Sequence, residues 1–155
     1  MAKGSIGMVQ RITGPVVDVS FNIDEIPEIL HALEIEVHDE VYVLEVSQHL
    51  GDGEVRCISM YPTDGISRGV KAVDTGMPIT VGVGEETLGR MVNVIGQPID
   101  MGEPIKAKEY WPIHHSAPPF IDIVPPEDLL ETGIKVIDLM TPYVKGGKIG
   151  LFGGA

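Results

Sequence analysis

The chain opens with short runs in which apolar and polar residues alternate at every second position, the period of a half-buried strand. Residues 8–12 form the first run, and Gly14-Pro15 breaks it. Residues 16–21 come next, with Val17, Val19 and Phe21 on one face and Asp18 and Ser20 on the other. In 33–37, Leu33, Ile35 and Val37 turn inward while Glu34 and Glu36 turn outward. Asp39-Glu40 leads into 41–46, Gly51-Asp52-Gly53 into 54–60, and Asp74-Thr75-Gly76 into 79–83. Runs of this length bounded by Gly, Pro and Asp predict an antiparallel sandwich or a small barrel. Six of them in about eighty residues favour a closed barrel, because closure removes exposed edges.

Beyond this point the pattern changes. Gly82-Val83-Gly84-Glu85-Glu86 has the wrong glycine spacing for a dinucleotide loop and reads as a strand exit, leading to a strand-like stretch at 88–95. Seven of the twelve prolines fall between 98 and 126. Proline removes a donor and fixes φ, so neither a helix nor a central strand persists there, and the stretch reads as an ordered connector or a linker. His114-His115 lies inside it, with no further ligands at metal-site spacing, and reads as a solvated or hydrogen-bonded pair. Pro125-Pro126-Glu127-Asp128 has the look of a helix start, with acidic residues in its first turn. Gly133 interrupts it, and residues 134–140 form a second short helical candidate that packs through Ile134 and Ile137, with Val136 and Met140 as further contacts. Pro142 ends that candidate.

The final stretch, Lys145-Gly146-Gly147-Lys148-Ile149-Gly150-Leu151-Phe152-Gly153-Gly154-Ala155, contains a strand-like apolar run at 149–152 feeding a glycine pair. A phosphate-binding loop has this build: a buried strand, then G-x-x-x-x-G-K-[ST], then a helix. Gly153 fits the first glycine of that motif; an ordinary strand-to-loop glycine pair fits it as well. The lysine that neutralises terminal phosphates and the hydroxyl that binds Mg²⁺ would come after Ala155. The fold class that results is mainly β, then α/β.

Composition narrows the function classes. Nineteen glycines and twelve prolines agree with a turn-rich β structure. No apolar run reaches the roughly 18 residues of a membrane-spanning helix, and the first five residues lack the apolar core of a secretory signal. The net charge of −12 repels phosphate backbones and argues against nucleic-acid binding. Cys57 is the single cysteine, so there is no disulfide framework and no cysteine-based zinc site, and a buried, inert thiol is expected.

With these blocks in place, a resemblance is visible. Leu130-Glu131-Thr132-Gly133-Ile134-Lys135-Val136-Ile137-Asp138-Leu139 and the closing 145–155 resemble the catalytic β subunits of F-type ATP synthases. So do Ile12-Thr13-Gly14-Pro15-Val16-Val17-Asp18-Val19, Gln48-His49-Leu50-Gly51-Asp52-Gly53 and Asp74-Thr75-Gly76-Met77-Pro78-Ile79. Thr87-Leu88-Gly89-Arg90 and Asn93-Val94-Ile95-Gly96-Gln97-Pro98-Ile99-Asp100 continue the series, in order and over nearly the whole chain. The noncatalytic α subunits look similar but lead into their loop differently. The hexameric terminator Rho carries an RNA-binding front end that this acidity disfavours.

The resemblance implies a six-stranded antiparallel N-terminal β-barrel at 1–82. It also implies an incomplete start of a P-loop nucleotide-binding domain at 83–155, including the connector at 98–126. Gly153, Gly154 and Ala155 would supply backbone N–H groups to phosphates. ATP or ADP with Mg²⁺, α subunits in an alternating α₃β₃ ring, and the central-stalk γ subunit belong to the full-length parent. The parent makes ATP from ADP and phosphate, coupled to transmembrane proton flow. It sits as a peripheral complex, without inserting into the membrane, on the cytoplasmic side of a bacterial inner membrane. The chain itself is expected to be a fragment without ATPase activity. The alternative is that it acts only as a non-catalytic assembly module.

Overall fold

The computed structural model describes residues 4–124 and 128–154. They fall into two compact units, Met1–His115 and Ser116–Ala155.

The first unit is built around a closed barrel of six strands in the order β1-β2-β5-β4-β3-β6, every neighbouring pair antiparallel. The strands are β1 (Ile6–Thr13), β2 (Val16–Ser20), β3 (His31–Val37), β4 (Glu40–Gly51), β5 (Glu54–Ser59) and β6 (Lys71–Pro78). Three of the hairpins have two-residue turns, and Gly14-Pro15 joins β1 to β2. His38-Asp39 joins β3 to β4 and Asp52-Gly53 joins β4 to β5, and all four residues have positive φ. That is the type I′ geometry, whose twist matches the strands it connects. Inward residues meet in one core that includes Val9, Val17, Val19, Leu33, Ile35 and Leu44. Gly7 leaves room for it: a Cβ there would stand 2.7 Å from Val19 and from the Phe21 ring.

The sixth barrel strand is not the one that alternation predicts. Asp74-Thr75-Gly76, read as a turn before a strand at 79–83, lies inside β6. Gly76 adopts φ of +72°, and between the pairs His31/Pro78 and Leu33/Asp74 the residues Thr75, Gly76 and Met77 of β6 oppose Ala32 alone. This is a bulge, which carries a local turn signal without ending the strand. Thr75 Oγ1 donates to the Ala32 carbonyl across the gap at 2.9 Å. The predicted final strand is instead β7 (Thr80–Val83), which pairs outside the barrel with β8 (Glu109–Pro112).

The strand expected at 88–95 is absent. Leu88, Met91, Val92 and Val94 are exposed, and the loop is organised by polar side chains. Asn93 Oδ1 accepts from the amides of Ile95 and Gln97 at 3.1 and 2.8 Å. Arg90 clamps Asp100 through Nε and Nη2 at 2.6 and 3.0 Å. The proline-rich connector contains one strand, β8, in a two-stranded sheet where only one edge needs donors.

In the second unit, β9 (Leu129–Leu130) pairs with β10 (Tyr143–Val144) around α1 (Lys135–Met140). The helix start expected at 125–128 lies mostly outside the described residues. The next element is β9 rather than a helix, because Leu129 and Leu130 find a ladder partner. The Asp138 carboxylate folds back to accept from Thr132 Oγ1 and the amides of Thr132 and Gly133 at 2.6, 3.0 and 2.9 Å. Of the four apolar residues expected to pack, only Ile137 is half-buried; Ile134, Val136 and Met140 are exposed. Residues 149–152 form no strand and are exposed, since no described segment offers them a partner.

The barrel core predicts its own sensitivity. Leu33 is fully buried, so Leu33→Ala should cost about 3 kcal/mol through lost transfer energy and a residual cavity. Urea unfolding of the chain reads this; a loss under about 1 kcal/mol would mean that the barrel interior is loosely packed.

Candidate functional site

Strand register brings together a charge cluster that alternation alone assigns only in part. Arg11, Asp18 and Arg56 stand opposite one another across β1, β2 and β5. Asp18 is on the polar face, as its position between Val17 and Val19 predicts, yet it is only 2% exposed. A carboxylate so enclosed needs partners for both oxygens. Arg56 donates through Nε to Oδ1 at 2.9 Å and through Nη2 to Oδ2 at 3.2 Å. Arg11 donates through Nε and Nη2 to Oδ2 at 2.9 and 2.8 Å. The Arg56 bonds, with those of Arg11, hold the Asp18 carboxyl below the usual carboxylate range against the opposing effect of burial. A depression of about 390 Å³ adjoins the cluster, lined by Gln10, Arg11, Ile12, Asp18, Glu54 and Arg68.

A second depression, of about 640 Å³, contains a carboxylate and a histidine. His31 Nδ1 donates to Asp74 Oδ1 at 3.1 Å, and the Gly76 amide donates to the same oxygen at 3.0 Å. This pair fastens the β6 bulge to β3, which makes it a structural contact. His49 donates through Nε2 to the Pro27 carbonyl at 2.7 Å. His114 Nε2 lies 2.7 Å from Glu45 Oε2, and His115 stacks on Trp111 with ring centroids 4.6 Å apart. No group of three His, Cys, Asp or Glu side chains suited to a metal ion occurs among the described residues. Cys57 is fully buried, and burial pushes its thiol up to about 12, so it stays protonated.

Of the three residues expected to meet phosphate, Gly153 and Gly154 are among the described residues. Gly153 and Gly154 are exposed, and nothing comes within 4 Å of where a Cβ would sit on either. Ala155 lies outside the described residues. Among the described residues no strand leads into the two glycines.

Residues 9–76 match the beta-barrel domain of the ATP synthase alpha/beta family. The match runs from Val9 in β1 to Gly76 in β6, and so covers all six barrel strands in their observed order. It carries no distinction between the alpha and beta types. The Asp18 cluster and the His31/Asp74 contact lie inside it and the β6 bulge begins within it, whereas Arg90, Asp100 and the terminal glycines lie beyond it. No helix among the described residues is long and apolar enough to cross a membrane.

Removing the Asp18 charge should weaken the barrel. Asp18→Asn gives up several charge-assisted bonds at once, and a loss of about 2 kcal/mol is expected at pH 7. Asp18 has a lowered folded-state pKa, so its contribution is complete above the unfolded aspartate value of about 3.9 and is lost as pH falls through the lower folded value. The gap between the chain and Asp18→Asn should hold steady from pH 7 to about 5 and shrink below about 4. Denaturant melts across this range provide the check; a gap that widens in acid would contradict the assignment.

Proposed function

We propose that this chain is the N-terminal part of the catalytic β subunit of a rotary F-type ATP synthase. The parent enzyme is a proton-transporting ATPase that makes ATP from ADP and phosphate. The observation that carries the reading is the closed barrel whose six strands match the alpha/beta family domain. The choice of β over α rests on the Leu151-Phe152-Gly153-Gly154-Ala155 lead-in. On this reading Gly153, Gly154 and Ala155 head a phosphate-binding loop, and Mg²⁺ with ATP or ADP belongs to the parent.

The barrel's own work is assembly. A closed barrel with a packed interior has no free edge with which to recruit another strand, so contacts are made by side chains on its outer wall. The partners are α subunits, in an alternating α₃β₃ ring around the γ subunit. The complex is peripheral, on the cytoplasmic side of a bacterial inner membrane. The acidic wall, with Glu34 and Glu36 exposed, favours protein partners over RNA or anionic lipid. The second reading is an assembly module without catalysis, supported by the closed and packed barrel.

Co-expression with a cognate α subunit and size-exclusion chromatography test the proposal. Co-elution at micromolar concentration is expected. Failure to co-elute, or tight binding to RNA at physiological salt, would overturn the assembly reading.

A further inference from the structure

Glu45 lies between the inward residues Leu44 and Val46 and so points to the outer wall of β4, yet its side chain is only 12% exposed. Its cross-strand neighbours, Ala32 on β3 and Ile58 on β5, have no polar side chain to offer it. The carboxylate is met by the segment that follows β8. His114 Nε2 stands 2.7 Å from Glu45 Oε2 and is the carboxylate's one partner among the described residues.

This contact lies at one end of a stretch, 80–115, in which β7 and β8 pair with each other and with no barrel strand. A second tie to the barrel lies further back. Tyr61, two residues beyond β5, donates to Gln97 Oε1 at 2.7 Å and accepts from Asn93 Nδ2 at 3.0 Å. The two ties differ in kind. The Tyr61 tie joins uncharged side chains, whereas the other joins a carboxylate to an imidazole, a group that ordinarily changes charge near about pH 6.5.

With His114 protonated, the enclosed carboxylate faces an opposite charge at hydrogen-bond distance, and the pair is neutral as a whole. With His114 neutral, one uncompensated charge stays enclosed on a single neutral donor. That state is costly, and lifting the segment returns the carboxylate to water. The His114 side chain is 44% exposed, so protons reach it while the contact is closed. Neighbouring charges do not replace it. The next outward charges along β3 and β5 are Glu34 and Arg56, each two positions from the residue opposite Glu45, and Arg56 is engaged by Asp18. The charged residue of β8 is Glu109 at its far end, β7 has none, and His115 stacks on Trp111.

We propose that 80–115 is a strap fastened to the barrel wall by a pH-sensitive clasp: protonated His114 holds Glu45, and loss of that proton frees the His114 end while the Tyr61 tie stays closed. The clasp is tight in mild acid and loosens as pH rises, opposite in sense to the Asp18 cluster. It is independent of the subunit assignment above.

Amide hydrogen exchange of the chain tests it, with each rate taken relative to the unstructured peptide at the same pH. The Ile113 amide donates to the Ile79 carbonyl at 2.9 Å. Ile79 is buried directly after β6, so lifting the His114 end breaks this bond. Protection at Ile113 should fall by on the order of tenfold from about pH 5.5 to about pH 8. The barrel amides of Phe21 and Ser59, which donate to Gly53 and Pro15, should keep theirs. Glu45→Gln removes the enclosed charge and should hold Ile113 equally at both pH values, whereas Tyr61→Phe should leave the pH response in place. Equal protection of the unsubstituted chain at both pH values would overturn the proposal, and so would a fall that persists in Glu45→Gln. A fall shared by Phe21 and Ser59 would mark opening of the barrel itself and would also overturn it.

Discussion

Closure of the barrel through β6 is the constraint on which the rest of the first unit depends. This strand must satisfy β1 on one side and β3 on the other, and the two neighbours impose different registers. The bulge at Thr75 and Gly76 reconciles them, with φ of +72° at Gly76, where a side chain would be strained. Once β6 is seated, no strand of the barrel has an open edge and the apolar faces enclose a single core. The loop that carries Arg68 is then drawn against β1, and His31 meets Asp74. Without β6, β1 and β3 would both expose unpaired backbone groups, which invite association with other chains.

A second consequence of closure is the environment of Asp18. Antiparallel register places Arg11 and Arg56 on either side of it, so one carboxylate is satisfied by two neighbouring strands at once. This ties β1, β2 and β5 together on the outer wall. It also uses one negative charge to hold two positive ones in fixed positions.

Period-two alternation made five barrel strands legible, including the inward faces of Val17, Val19, Leu33 and Ile35. The sixth was not, because Asp74-Thr75-Gly76 is a strong local turn signal and only tertiary pairing reveals that it is a bulge. The failure at 149–152 has the opposite cause. An apolar run needs partners on both sides to be a buried strand, and none of the described residues supplies them. The Asp18 cluster was half visible: Asp18 was on the polar face, but its arginine partners lie in other strands, and only register joins them. The loop at 88–95 misled because its apolar residues alternate while its shape is set by Asn93 and by the Arg90 clamp on Asp100.

Residue-resolved amide hydrogen exchange of the native chain tests the central claim, that β6 closes one cooperative barrel. The seam between β1 and β6 is reported by the amides of Val9, Gly69 and Asp74, which donate to Val70, Val9 and Ser5. A closed barrel predicts that these amides exchange only through global unfolding, with the same opening free energy as the amides of β2 and β5. Seam amides that exchange orders of magnitude faster than those of β2 and β5 would show an open edge there and contradict the account.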